Sequence, residues 1–179
     1  MPPVPPKVFA KSLIIPLLLI LGGCSRPEDA QDSAAETPKG RAETKYSYAQ
    51  TSDLRVASQL GPGWYQIEDG GWRWMAREAQ LTLRVPETGP AQFEVRLTFP
   101  KGHMALTGPV KFSVLFNDQP FAEETYTKDG DYKLTKDVPP GILTHGPMRV
   151  TLRLSKARPP GMGGDLRELG AVVVGVGFK

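Results

Sequence analysis

Apolar side chains recur at every second position over most of the second half of this chain. Leu81, Leu83 and Val85 alternate with Thr82 and Arg84, and Phe93, Val95, Leu97 and Phe99 alternate with Glu94, Arg96 and Thr98. Val110, Phe112, Val114 and Phe116 repeat the pattern, and Met148, Val150, Leu152 and Leu154 are set against Arg149, Thr151 and Arg153. A period of two places one set on a buried face and the other in water, which only a half-buried antiparallel strand satisfies. Ala171 to Phe178 is apolar at nearly every position and is expected to be a central strand. Asn117-Asp118 reads as a hairpin turn, while Pro139-Pro140-Gly141 and Pro159-Pro160-Gly161 end strands. No stretch carries a helical period; Leu54 to Leu60 offers one or two turns at most. The expected fold class is all-β, a two-sheet antiparallel sandwich of jelly-roll type, with a flattened barrel as the alternative.

The first residues obey a different rule. Lys7 and Lys11 precede an apolar run from Ser12 to Leu21, about half the ~20 residues that a membrane-crossing helix requires. The order basic, apolar, small is that of a cleavable export signal. Leu21-Gly22-Gly23-Cys24 closes it, with the single cysteine of the 179 residues at its end. This tetrad resembles the lipobox of bacterial lipoproteins, whose cysteine sulfur accepts a diacylglyceryl group. The resemblance implies lipidation of Cys24 and attachment to a membrane, and Ser25 at the following position implies sorting to the outer membrane. A single cysteine also excludes an internal disulfide, so packing alone holds the fold.

Residues 24–56 are rich in Ala, Asp, Glu, Ser, Thr and Gln and poor in aliphatic bulk, a composition expected to form a disordered tether spanning roughly 30 Å. Tyr46 and Tyr48 read either as a short docking segment or as aromatics scattered in that tether. The expected organisation is a signal peptide over 1–23, the lipidated linker over 24–56 and one sandwich domain over 57–179. Without Lys7 and Lys11 the 22 basic residues fall to 20 against 19 acidic ones, which leaves no basic stripe for nucleic acid.

Val114-Leu115-Phe116-Asn117-Asp118-Gln119-Pro120, then Val138-Pro139-Pro140-Gly141-Ile142-Leu143, then Gly146-Pro147 and Val150-Thr151-Leu152 resemble the second half of a galactose-binding-like jelly roll. Asp118 stands where that family has Gly, and Met148 where it has Asn. A narrower resemblance is to an uncharacterised bacterial sandwich domain found with glycosyltransferases. It runs through Gly63-Trp64-Tyr65, Glu68, Trp72-Arg73-Trp74 and Arg167-Glu168-Leu169-Gly170.

A catalytic constellation is absent from the sequence. His103 and His145 lie outside any metal-binding spacing, Ser113 lies mid-strand, and adjacent Glu123 and Glu124 point to opposite faces of a strand. Glu68 with Glu168 is the pair of carboxylates that could meet in space as flanking groups. Asp129-Gly130-Asp131 resembles a fragment of a calcium loop but offers too few oxygens, so it reads as an acidic turn. No metal and no cofactor is expected, and the chain is expected not to be an enzyme. The aromatic cluster carries the expectation of function. Flat rings stack on the apolar face of a sugar while charged neighbours bond its hydroxyls, which assigns ligand contact to Trp64, Tyr65 and Trp72 with Glu68 and Arg73. Trp74 is expected in the core. Arg73, Arg167 and Glu168 are candidates for an ion pair between the first and last strands. The expected partners are the membrane, through the lipid, and a cell-envelope glycan, with an envelope protein as the alternative. Labelling with a fatty-acid analogue is expected to mark the expressed chain, and Cys24→Ala to abolish the label and release the protein from membranes.

Overall fold

The computed structural model describes residues 44–87, 91–139, 141–143 and 146–179; Cys24, Ser25, Pro140 and His145 lie outside them. Two antiparallel sheets face each other. The first holds β1 (Tyr48–Gln50), β2 (Trp64–Ile67), β3 (Arg73–Met75), β5 (Gln92–Phe99), β8 (Gly130–Asp137) and β10 (Val172–Phe178). The second holds β4 (Glu78–Arg84), β6 (Val110–Phe116), β7 (Gln119–Tyr126) and β9 (Pro147–Leu154), in the order β4-β9-β6-β7. The α-helix among the described residues, α1 (His103–Thr107), follows β5, and a 3-10 helix over Leu54–Gln59 follows β1.

The alternating residues meet between the sheets. Leu83, Phe93, Val95, Phe99, Phe112, Val114, Val150 and Leu152 are fully buried. Phe93 meets the edges of Phe116 and Phe178 at 5.0 and 5.3 Å, the quadrupole-favoured arrangement of aromatic rings. The all-β two-sheet expectation holds.

β10 is the central strand of its sheet, as its two-sided apolarity requires. Along one edge it pairs with β5 from Val172↔Thr98 to Phe178↔Phe93. Its other edge is divided: Val172 and Val173 pair with β3, and Gly175 to Gly177 pair with β1. The domain therefore reaches back well before residue 57, which corrects the expected tether. Tyr46 and Tyr48 belong to the fold. Gln59 fixes this segment by accepting the Tyr46 N–H at 3.0 Å and donating to the carbonyls of Tyr46 (2.9 Å) and Thr82 (2.8 Å). Backbone approach is close here, since a Cβ on Gly177 would lie 2.2 Å from the Ser47 carbonyl oxygen.

Glu94 sits on the expected polar face yet is only 5% exposed. The Tyr48 hydroxyl donates to it at 3.1 Å, and the Lys179 ammonium lies 2.8 Å from the same oxygen. Lys179, helped by Tyr48, holds the Glu94 carboxyl below the usual carboxylate range. Burial, reinforced by Glu94, pushes the Tyr48 phenol up to about 12. A depressed carboxyl stabilises the fold above its unfolded value, about 4.3, and that stabilisation disappears as pH falls through the folded value. The wild type is therefore expected to lose stability between about pH 5 and 3 more steeply than Glu94→Gln, measured by urea unfolding at each pH.

Candidate functional site

The β2–β3 hairpin turns tightly: the Glu68 N–H donates to the Trp72 carbonyl and the Gly71 N–H to that of Glu68, both at 2.8 Å. Trp72 covers this turn and is 46% exposed. A Cβ on Gly70 would fall 1.7 Å from the indole, so a side chain there would push the exposed ring aside. Trp64 is half-buried against the core and donates its indole N–H to the Gln80 carbonyl at 2.6 Å. The Tyr65 hydroxyl donates to the Glu168 carbonyl at 2.9 Å, and the Arg167 guanidinium lies over the Tyr65 ring at 5.1 Å.

Arg167 also reaches Glu68 and Asp165, each at 2.7 Å. It holds the Asp165 carboxyl down to about 2 and is itself raised by both acids. Glu168 accepts from the Arg77 backbone N–H at 3.2 Å and lies 3.7 Å from its guanidinium. Glu68 and Glu168 are thus each engaged by an arginine. The expected ionic link between hairpin and closing segment exists, but its partners are Arg167 and Glu68.

Arg73 takes no part in that link, which corrects the expectation. It is 7% exposed and shares a face with the fully buried Met75. Its Nε donates to the Thr51 carbonyl (2.8 Å) and its Nη1 to that of Tyr65 (2.6 Å). Burial lowers its pKa, although a guanidinium stays charged. The residue closes a junction between strands and presents nothing to a ligand.

Trp74, between Arg73 and Met75, must point to the opposite side of the sheet, so it lies outside the core that was expected to hold it. Its row across the sheet is Val172, Thr98 and Asp131. There Trp74 forms one wall of an open groove of about 470 Å³, completed by Lys101, His103, Leu106, Arg158 and Met162. Two segments supply those residues, one of them including α1. The first, after β5, is secured by Asp129, whose carboxylate accepts the N–H groups of Gly102 (2.6 Å) and Met104 (2.7 Å). The second joins β9 to β10 and is closed by reciprocal backbone bonds between Arg158 and Leu169, at 2.8 and 3.0 Å. Arg158 also donates to the Met162 carbonyl.

Two buried nitrogens of the groove residues, His103 Nε2 and Arg158 Nε, have no hydrogen-bond partner among the described residues. His103 is 4% exposed and packs on Phe99 at 5.2 Å. Burial, with Arg158 adding to it against Asp129, lowers the His103 pKa and leaves the ring neutral near pH 7. Leu106 and Met162 are 47% and 39% exposed. The groove thus sets the apolar side chains of Trp74, Leu106 and Met162 beside the basic residues Lys101 and Arg158, the mixed lining of a small-molecule site. A second hollow, about 410 Å³ between Lys111, Leu115, Phe121 and Arg153, lies on the other sheet. Its charges are matched, Lys111 by Glu123 at 3.1 Å and Arg153 by Glu78 at 2.7 Å.

Asp131 accepts a hydrogen bond from Thr98 at 2.6 Å. Among the described residues no three His, Cys, Asp or Glu side chains gather as metal ligands would.

No family model matches the sequence, and no curated protein matches it. Among solved structures the chain is similar to the carbohydrate-binding module CBM36 in complex with calcium and xylotriose. That likeness has a TM-score of 0.47 and 10% identity, covering 74% of this chain and 98% of that one. It is also similar to a family 35 carbohydrate-binding module from an environmental isolate, with TM-score 0.41, 12% identity and 78% and 88% coverage. A family 35 module from Clostridium thermocellum gives 0.41, 14%, 67% and 90%. No residue role passes from these modules to this chain.

Arg73→Ala is expected to cost about 3 kcal/mol by leaving the Thr51 and Tyr65 carbonyls without their charged donor. Arg73→Lys should recover little of it, since an ammonium cannot span both acceptors; urea unfolding measures each.

Proposed function

We propose that this chain is a non-catalytic glycan-binding module, held at the bacterial cell envelope by lipid on Cys24. The observation that carries the reading is the Trp74 groove. Its volume falls within the roughly 300–1,000 Å³ of ligand sites. An indole wall suits the C–H face of a pyranose ring, and the basic side chains of Lys101 and Arg158 belong to the same lining, donors of the kind that a hydroxyl-rich ligand accepts from. Glu68 and Glu168, the carboxylates nearest to a hydrolytic pair in the sequence, are bound to Arg167 and Arg77, which supports binding in place of turnover. The export signal, the lipobox tetrad and Ser25 support placement at the outer membrane. Anchored copies raise local concentration, so a weak affinity per site suffices for adhesion.

Edge pairing with an envelope protein is less well supported. The edge strands β7 and β8 carry exposed Glu123, Glu124, Lys133 and Lys136, and such charges oppose the addition of a further strand.

Titration of the full chain with envelope oligosaccharides is expected to shift tryptophan emission. Trp74→Ala should weaken binding by at least about tenfold, whereas Trp72→Ala should leave it within a few-fold. Unchanged affinity in Trp74→Ala would remove the groove from the account. The absence of any glycan response beside capture of an envelope protein would favour the other partner class.

A further inference from the structure

We propose that α1 is a hinged flap beside the groove, latched by His103 and Asp129 and released by acid, so that the groove opens as pH falls. The device goes beyond the glycan-binding reading and holds whatever occupies the groove. α1 has five residues, and His103 is its one buried side chain. Met104 is half-buried against the core, while Ala105 and Leu106 are exposed. A glycine with positive φ stands at each end, Gly102 at +84° and Gly108 at +67°. A Cβ on Gly102 would meet nothing within 4 Å, and one on Gly108 only the Lys156 ammonium, at 3.6 Å. Both glycines thus combine open surroundings with a backbone freedom that other residues lack, the character of a hinge pair.

Two groups latch this segment. The His103 ring packs on Phe99 at 5.2 Å, with its Nε2 buried and without a partner among the described residues. The Asp129 carboxylate accepts the Gly102 and Met104 N–H groups at 2.6 and 2.7 Å, so it grips the chain on either side of that ring. The charges that face His103 come from other elements. Arg158, between β9 and β10, opposes its protonation, and Asp129, between β7 and β8, favours it. Further titratable neighbours are Tyr126 and Tyr132, which also pack on Phe99, and Lys101, two residues earlier in the chain. A proton on the buried imidazole finds no acceptor while the flap is closed, whereas water supplies one once it opens. Burial accordingly holds His103 below its ordinary value in the closed form. Closure is at full strength above about pH 7, and below about pH 6.5 the open form takes up the proton first. The closed-to-open ratio then falls by up to about tenfold per pH unit, until the closed form titrates as well. Asp129, also held below its usual range, keeps its grip through this window and begins to lose it only below about pH 4.

The test is NMR of the isotope-labelled full chain from about pH 8 down to about pH 5, the range in which a histidine switch acts. The amides of Gly102, Met104 and Gly108 are expected to lose protection, taken relative to intrinsic exchange, by at least about tenfold. The loss should follow the titration of the His103 ring, while amides of Val114 and Leu152 in the core strands keep their protection. The Trp74 indole N–H resonance, in the same groove, should move with the same midpoint. His103→Phe keeps an aromatic ring on Phe99 but takes no proton, so its flap amides should be protected independently of pH. Asp129→Asn should lower their protection already at neutral pH and leave the histidine-driven step in place. The titration of the unmodified chain requires no variant, so it decides the matter even if His103→Phe lowers the unfolding midpoint. Flap protection that stays constant while His103 titrates overturns the proposal, as does a pH response that persists in His103→Phe. Simultaneous loss of protection in α1 and the core strands also overturns it, since acid would then unfold the domain as a whole. Each of these results leaves glycan binding untouched, because that reading stands or falls on the affinity of Trp74→Ala.

Discussion

The divided edge of β10 is the constraint on which the rest of this domain depends. One edge of a strand accommodates β3 over Val172 and Val173 and β1 over Gly175 to Gly177, and the register shifts between Val173 and Gly175 on the β5 side. The backbone groups at the seam still require partners. Thr51 supplies them: it is fully buried, its N–H donates to the Val174 carbonyl at 3.1 Å, and its hydroxyl donates to that of Val173. Arg73 then occupies the carbonyls of Thr51 and Tyr65. A buried guanidinium bonded only to carbonyls is tolerated because its fork reaches two acceptors on different segments. It ties the end of β1, the β2 strand and β3 together at one point. Trp74 follows directly in the chain, so the same seam fixes where the indole stands.

The second device is the clamp on the β9–β10 loop. Pro159, Pro160 and four glycines between 161 and 170 would leave that segment mobile if it stood alone. Tyr65 and Glu68 hold it from the hairpin through the Glu168 carbonyl and Arg167, while the bridge between Arg158 and Leu169 closes its base. Exposed ion pairs contribute little one at a time. Here Arg167 serves two carboxylates and an aromatic face, so its ordering cost is shared among three contacts. Several residues read from the sequence as ligand contacts thus act one step further back. They position the loop that brings Arg158 and Met162 to the groove.

What was legible in the sequence follows from side-chain burial. β4, β5, β6 and β9 have one face sealed and the other wet, so their periodicity is strong, and β10 announces itself by being apolar throughout. β1 has a single buried side chain, Ala49, in three residues, too few for any period; its pairing is written in the small size of Gly175 and Gly177, which no hydrophobic pattern reports. β7 and β8 are edges with mostly exposed residues. Trp72-Arg73-Trp74 alternates cleanly, but in the inverse sense. Met75 takes the core position, and Arg73 is accepted on that side because backbone carbonyls meet its charge. Polarity alone could not reveal this. Lys101, His103, Leu106 and Arg158 come from two segments far apart in sequence, and only the fold brings them beside Trp74.

The groove's charge illustrates why composition was silent. Once the signal lysines are set aside, acids and bases nearly balance, so a positive site must arise from how the acids are distributed. Asp129, which resembled part of a calcium loop, holds the start of α1 with both oxygens and keeps its carboxyl below the usual range through the Met104 and Gly102 N–H groups. Asp165 is likewise absorbed by Arg167. Lys101 and Arg158 stand in a groove lining that includes no acidic side chain. Local pairing, far more than net charge, determines what this surface attracts.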